Sequence, residues 1–300
     1  MKILLLGQNG QLGWALQRSL ALLGTLQCPE TAGQPRVADL ARPEALAEWV
    51  REQRPDVIVN AAAYTAVDTA EKEPERAHAI NAAAPAALAG VAAQLGAWFI
   101  HYSTDYVFDG SGQTPHAEGD ATAPLSVYGR TKREGELAVI QSGGRHLILR
   151  TSWVYGTRGG NFARTMLRLA QEREVMRVID DQVGAPTSAD LLADITAQAL
   201  PQLLAHPERG GLYHAVAAGE TSWHGYASHV IEQARQIRPD LPWKVRDIEA
   251  IPSSAYPVAA QRPLNSRLDT RKLCQTFGLQ MPPWQHGVDR WLQDTLAASA

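Results

Sequence analysis

Tyr128 and Lys132 stand four residues apart, a phenol and an ammonium able to do acid–base chemistry together. On a helix that spacing places them on one face, one turn apart. A free phenol titrates near ~10, so moving a proton near neutrality calls for a neighbouring positive charge. Lys132 supplies one. Upstream, Ser103-Thr104 closes the apolar run Ala97–Tyr102, and Thr104 can donate a hydrogen bond to a carbonyl oxygen. The three groups fit carbonyl reduction, with the proton leaving Tyr128 and a hydride arriving from a second reagent.

The elements that must position them read as a doubly wound sheet. Lys2–Leu6 is a continuous apolar run, which predicts a buried parallel strand, and Trp14–Leu23 has helical periodicity. Between them lies Gly7-Gln8-Asn9-Gly10-Gln11-Leu12-Gly13, a G-x-x-G-x-x-G turn in the strand–turn–helix context of a dinucleotide fingerprint. Gly7 and Gly10 would let the backbone approach a pyrophosphate, and Gly13 would let the helix pack close to the strand. The helix N-terminus would add N–H groups and a positive dipole end. Further strands are expected at Leu26–Cys28, Val37–Leu40, Asp56–Asn60, Ala97–Tyr102 and His146–Thr151, with helices at Arg42–Glu52, Glu75–Leu95 and Val127–Gln141. Six βα units in order predict an α/β, Rossmann-type, doubly wound parallel sheet.

Ligands bind such a sheet at the carboxyl ends of its strands. Glu30, 20 residues after Gly10, is either a ribose 2′-hydroxyl acceptor, which would disfavour a 2′-phosphate, or a solvated loop residue. Asp39 sits either near an adenine or at a helix N-cap. The small Ala61, Ala62 and Ala63 leave room for a cofactor over the edge, and Asn81 faces the cleft or is an ordinary helix residue. A nicotinamide dinucleotide would carry the hydride chemistry. His101 reads as a core or supporting residue. Trp153, which follows strand His146–Thr151 at the ligand edge, reads as a ligand-packing residue. Gly110–Leu125, polar and rich in Gly and Pro, is a loop and a candidate lid.

Beyond Gly156–Gly160 the pattern shortens, predicting a smaller C-terminal α/β substrate domain: residues 1–157 for the dinucleotide and 158–300 mainly for the substrate, with segments free to cross back. Helices are expected at Phe162–Gln171, Ser188–Leu204, Ser222–Gln236 and Trp284–Leu296. Strands are expected at Val175–Ile179, Leu212–Val216 and Trp243–Asp247, and a long loop at Ile251–Arg267.

Composition bounds the function. The 300 residues are 45% hydrophobic and 20% charged with a net charge of -3, so no basic field points to nucleic acid. Two cysteines match neither a metal spacing nor a disulfide framework, which favours a reducing cytoplasm. No apolar run is long enough for a bilayer. H-E-x-x-H, C-x-x-C and G-x-S-x-G are absent.

The glycine turn with Tyr128-x-x-x-Lys132 resembles the extended short-chain dehydrogenase/reductase superfamily, whose members mostly act on sugar nucleotides. Longer strings sharpen this: Asn60-Ala61-Ala62-Ala63-Tyr64-Thr65-Ala66-Val67-Asp68, Tyr102-Ser103-Thr104-Asp105-Tyr106-Val107-Phe108, Arg150-Thr151-Ser152-Trp153-Val154-Tyr155, Asp181-Gln182-Val183-Gly184-Ala185-Pro186-Thr187 and Arg262-Pro263-Leu264-Asn265-Ser266. With Gly7–Gly13 they resemble the dTDP-4-dehydrorhamnose reductases over essentially the whole chain. The resemblance implies NADPH or NADH as cofactor and a dTDP-sugar as substrate, reduced at its C4 ketone in the last step of dTDP-L-rhamnose synthesis. It implies Tyr128 as proton donor, Lys132 as its partner and Thr104 as the modulating hydroxyl. It places Gln11, Leu12, Asp39, Leu40, Ala63, Tyr64 and Thr65 at cofactor-contact positions, and Thr104, Asp105 and Trp153 at the sugar. Ala185, Pro186, Thr187 and Arg262 would hold the nucleotide; Arg262 either pairs with the diphosphate or is a solvated charge.

Some relatives hold an interface magnesium with carboxylates from both subunits. Here the early helix offers Trp14-Ala15-Leu16 and the last offers Trp291-Leu292, leaving only Asp190. This argues against Mg2+, and a homodimer would need other contacts. Two rival readings remain. A sugar-nucleotide dehydratase or epimerase would keep its NAD bound, but a 4,6-dehydratase needs an acid pair where Asp105 is followed by Tyr106. A non-catalytic regulatory subunit would share the fold, against which stand the intact Thr104, Tyr128 and Lys132.

Overall fold

The computed structural model describes residues 1–29 and 38–297. In chain order the elements are β1 (Lys2–Leu6), α1 (Gln11–Leu20), β2 (Thr25–Gln27), α2 (Pro43–Gln53), β3 (Val57–Asn60), α3 (Val67–Ala70), α4 (Pro74–His78), a π-helical turn (Ala79–Ala83), α5 (Ala84–Leu95), β4 (Trp98–Thr104), α6 (Val127–Gln141) and β5 (His146–Thr151). Then come β6 (Val154–Tyr155), α7 (Phe162–Glu172), β7 (Val175–Ile179), β8 (Val183–Gly184), β9 (Thr187–Ser188), α8 (Ala189–Ala205), β10 (Gly211–His214), β11 (Thr221–Ser222), α9 (Trp223–Ile237), β12 (Asp247–Ile251), α10 (Arg271–Phe277) and α11 (Trp284–Ala297).

Side chains alternate across a strand, and a parallel strand covered on both faces needs apolar residues at every position. β1 satisfies this: Ile3 and Leu5 join one core with α1, α8 and α10, while Leu4 and Leu6 join another with α2 and α5. The main sheet is parallel throughout, in the order β10-β5-β4-β3-β1-β2. The register aligns Leu6 with Asn60, Asn60 with His101, and Thr104 with Thr151, so these carboxyl ends form one edge. A third core gathers α7, α9, α11 and the small parallel pair β7–β12 around Tyr155, Met166, Tyr226 and Trp291.

Several sequence expectations need correction. The sixth sheet strand is β10, which crosses back from the C-terminal half. The strand expected at Val37–Leu40 is not formed by its described part, where Ala38–Leu40 make a turn; Val37, like Glu30, lies outside the described residues. Asp39 is not a helix N-cap: its Oδ1 accepts from Ala41 N at 2.9 Å, and Arg42 occupies the cap of α2. The strand expected at Trp243–Asp247 begins only at Asp247. Lys244 N and Val245 N are taken by the carbonyl of Ala170 at the end of α7, so pairing with β7 starts later. α10 was not anticipated; Gly278, at φ 66°, stops it.

The single helix expected at Glu75–Leu95 is divided by the π turn. An α-helix would bond the Asn81 carbonyl to the N–H of residue 85, but Pro85 has none. The freed carbonyl is where α6 approaches: a Cβ at Gly135 would lie 2.2 Å from Asn81 O.

α6 is also fixed to β5 by a buried ion pair. Arg150 Nε and Nη2 donate to the two carboxylate oxygens of Glu136 at 2.8 and 2.7 Å, and Arg133 Nη1 donates at 2.9 Å. Removing one member of such a pair leaves a buried charge unbalanced. Glu136→Gln is therefore expected to destabilise the fold by about 3 kcal/mol, read as a lower urea midpoint at unchanged slope.

Candidate active site

At the carboxyl edge of the sheet, β1 hands the chain to α1 through a turn that admits only glycine at its key points. Gly7 has φ +84°, and a Cβ on Gly13 would lie 2.0 Å from Gly7 O. α1 begins at Gly10 with no side chain capping it, so its first N–H groups face outward as an anion cradle. Asn9 and Gln11 flank this turn. Leu12 corrects one expectation in detail: its side chain is buried in the sheet core, leaving only its backbone for a ligand. Across the edge, Asn60 Oδ1 accepts from Ala62 N at 3.2 Å. Asn81 holds the next loop, accepting from Tyr64 N at 2.8 Å and donating to Tyr64 O at 3.1 Å, which fixes Ala63, Tyr64 and Thr65. These residues fit a dinucleotide: an uncapped helix start, a turn filled by any Cβ, and small side chains beyond it. Asp39 and Leu40 stand in the turn before α2, with Leu40 buried against it.

Thr104 ends β4, and Ser126 starts α6 by accepting from Gly129 N at 3.2 Å. The Thr104 hydroxyl donates to Asp105 Oδ1 at 3.0 Å, accepts from Tyr106 N at 3.2 Å, and lies close enough to the Tyr128 phenol to oppose the effect of burial on it. The Tyr128 ring is held edge-on to Tyr106, centroids 5.4 Å apart. The structure therefore brings Thr104, Asp105 and Tyr128 together as the sequence predicts.

Lys132 departs from expectation. It shares the α6 face with Tyr128, but its Nζ turns toward β4, donating to Tyr102 O at 2.6 Å and lying 3.2 Å from His101 Nε2. It does not lower the phenol. Burial pushes Tyr128 up to about 12, with the Thr104 hydroxyl pulling down and the Asp105 charge pushing up. Tyr128 is thus a protonated phenol at neutral pH, the form a proton donor needs. Burial also lowers Lys132 to about 8, with Glu136 opposing.

Trp153 has φ +50°, a conformation non-glycine residues rarely adopt and one that often marks a functional site. Its indole stacks on Trp223 at 3.7 Å and 15°, and Trp223 Nε1 donates to Gln182 Oε1 at 3.1 Å. Thr187 N donates to Trp153 O at 3.3 Å, so the buried Ala185-Pro186-Thr187 loop and Trp153 are one unit. Arg262, part exposed, is paired in the structure: its Nη2 donates to Asp68 Oδ2 at 2.8 Å. Asp190 lies 3.6 Å from Arg18. Among the described residues, no three His, Cys, Asp or Glu side chains gather to hold a metal ion.

The sequence reading missed Trp223, Gln182, Ser126 and Asn60. Ser126 alone had a local signal, as a serine opening a helix; the others act through contacts distant in sequence.

The chain was compared with known proteins. The RmlD substrate binding domain family matches residues 1–297. The dTDP-4-dehydrorhamnose reductase of Escherichia coli (strain K12) is 53% identical over 300 residues, covering 100% of both chains. That of Burkholderia thailandensis is 48% identical, covering 99% of this chain and 100% of its own. Among solved structures, the dTDP-4-dehydrorhamnose reductase of Bacillus anthracis str. Ames in complex with NADP has a TM-score of 0.86 at 32% identity, over 98% of this chain and 99% of that one.

Asp105 generates a pH prediction. Its Oδ2 is buried without a hydrogen-bond partner, and burial raises the carboxyl to about 6. Unfolded, it titrates near ~4, so the folded state binds the extra proton between these values and stability falls as pH rises through them. Asp105→Asn removes that loss. Its stability relative to the wild type is expected to rise by about 2 kcal/mol from pH 4 to pH 7 in paired urea melts. A difference that is the same at both pH values contradicts this account.

Proposed function

The chain belongs to the RmlD substrate binding domain family, and we propose that it reduces the C4 ketone of dTDP-4-dehydro-L-rhamnose to dTDP-L-rhamnose with NADPH or NADH. The observation that carries this reading is the placement of Thr104, at the carboxyl end of β4, beside buried Tyr128 in the first turn of α6, on the sheet edge that also carries the glycine turn. The bound reduced dinucleotide supplies the hydride. Gly7, Gly10 and Gly13 admit its pyrophosphate to the start of α1, and Ala62, Ala63, Tyr64 and Thr65 line its path.

Thr104 donates to the ketone oxygen, and Tyr128, kept protonated by burial, gives it the proton as negative charge develops. Lys132, anchored on the Tyr102 carbonyl one turn after Tyr128, holds the cofactor's ribose side. Trp153, braced by Trp223, offers an apolar plate to the deoxysugar, with Asp105 beside it. Ala185, Pro186 and Thr187 face the nucleotide. Arg262 reaches the diphosphate by leaving or sharing Asp68. The division into a dinucleotide half, residues 1–157, and a substrate half, residues 158–300, follows this arrangement, with β10 contributed back to the sheet.

We place the reaction in the cytoplasm, in keeping with two free cysteines and with the absence, among the described residues, of any helix long and apolar enough to cross a membrane.

The test is NADPH oxidation followed spectrophotometrically with the dTDP-4-keto sugar. Tyr128→Phe is expected to lower turnover by about 1,000-fold with KM changed only a few-fold. Normal turnover by that variant overturns the mechanism. An inactive wild type favours the regulatory subunit, and one equivalent of co-purifying NAD favours the epimerase or dehydratase.

A further inference from the structure

Arg262 holds its partner with only part of its fork. Its Nη2 donates to Asp68 Oδ2 at 2.8 Å, while its Nε is buried and meets no acceptor among the described residues. A guanidinium carries five N–H donors, and a buried donor left without an acceptor costs the fold. Asp68 is engaged at both oxygens: Oδ1 accepts from Ala260 N at 3.0 Å. An ion pair this exposed, 29% at the arginine and 42% at the aspartate, adds little stability by itself. Its value lies in where it places the groups it joins.

Those groups belong to segments far apart in the chain. Asp68 is in the first turn of α3, and α3 is fixed to the start of the catalytic helix. Glu71 accepts from Val127 N at 2.7 Å, and Ala70 shares with Val127 a small apolar cluster against which Tyr128 packs. Ala260 and Arg262 lie on the chain that returns from β12. Ser253 ties one end of that chain to the Asp181 carboxylate, through N at 2.9 Å and Oγ at 2.5 Å. Residues 254–259 are then exposed throughout, and Ala260 is buried again at the Asp68 contact. The pair stands one ring from the catalytic phenol. Burial and the charge of Asp105 raise the Tyr106 phenol, the charges of Arg262 and Asp68 also reach it, and its ring packs on Tyr128.

We infer that Asp68 is a positioning residue for the sugar nucleotide: it clips the returning chain to α3 and holds Arg262 by Nη2, leaving Nε–H to the diphosphate. The inference rests on the reductase reading for its ligand, and it decides how Arg262 takes that ligand. The arginine shares Asp68 and does not leave it. A phosphate oxygen on Nε supplies the missing acceptor, and the Nη2 bond need not break. Without the carboxylate, a long side chain beside an exposed segment spreads over many rotamers, and ordering it opposes binding. The dinucleotide's pyrophosphate offers the same chemistry, but the glycine turn and the start of α1 already meet it.

Asp68→Asn keeps an oxygen for Ala260 N and removes the charge that holds Arg262. Calorimetric binding of dTDP to the full-length protein is expected to weaken about tenfold in this variant, the scale of one hydrogen bond to a charged group. In an Arg262→Met background the same substitution should change the dissociation constant by less than about twofold, because nothing remains to be positioned. Equal losses in both backgrounds identify a structural role and overturn the inference. Unchanged or tighter binding by Asp68→Asn also overturns it, the latter by showing a carboxylate that competes with the diphosphate. In the turnover assay, KM for the dTDP-4-keto sugar should rise about tenfold while kcat and KM for NADPH stay within about twofold. A rise confined to KM for NADPH puts Arg262 at the dinucleotide and overturns it. Wild-type protein that binds dTDP but does not turn over the keto sugar defeats the reductase reading alone, and the binding measurements still decide the role of Asp68. Wild-type protein that binds no dTDP overturns both.

Discussion

A lysine nitrogen taken out of water must find a partner in every direction it presents, or the fold loses several kcal/mol. Lys132 is 2% exposed, and its surroundings are arranged around that demand. β4 supplies the Tyr102 carbonyl and the His101 ring. Reaching them requires α6 to lie close to the sheet. That approach depends on Gly135 against Asn81 O, on Glu136 meeting Arg150, and on Ser126 starting the helix at the right residue. Tyr128, one turn earlier, inherits its position from the same contacts. The catalytic face is therefore set by what lies beneath it.

The substrate side is built on a different balance. Trp153 holds a backbone conformation that costs about 1–3 kcal/mol, and neighbours impose it. The stacked Trp223 and the hydrogen bond from Thr187 keep the indole in place. Two short pairings, β6 with β9 and β8 with β11, tie these pieces together. One half of the cleft is thus an edge of a continuous sheet, and the other is stapled from short segments.

Legibility in the sequence follows the range of the interactions. β1, β5, α6 and β7 were readable because their signals are local: apolar runs for strands, and the one-turn spacing of Tyr128 and Lys132 for α6. Thr104, Tyr128 and Lys132 were readable as types at a spacing. The direction of Lys132 was not, since it depends on the Tyr102 carbonyl across the helix–sheet interface. Nor was Trp223, whose role exists only because α9 returns beside Trp153. The strand misplaced at Trp243 shows the same limit: its apolar residues satisfied a local pattern, while the Ala170 carbonyl, distant in sequence, took the hydrogen bonds.

The wide turn at Ala79–Ala83 has a consequence for what one helix can serve. An α-helix has a single angular phase, so a residue set chosen for the core fixes where every other residue points. One extra residue in a turn resets that phase by about 100°. Downstream, Ala84, Leu88 and Val91 keep the phase of the sheet core. Upstream, Asn81 is turned to the Tyr64 loop instead. Because the reset is written by a proline that lacks an N–H, it does not depend on occupancy of the cleft. The two faces are geared together at a fixed offset, and packing changes in α5 can be absorbed without turning the loop-holding amide out of place.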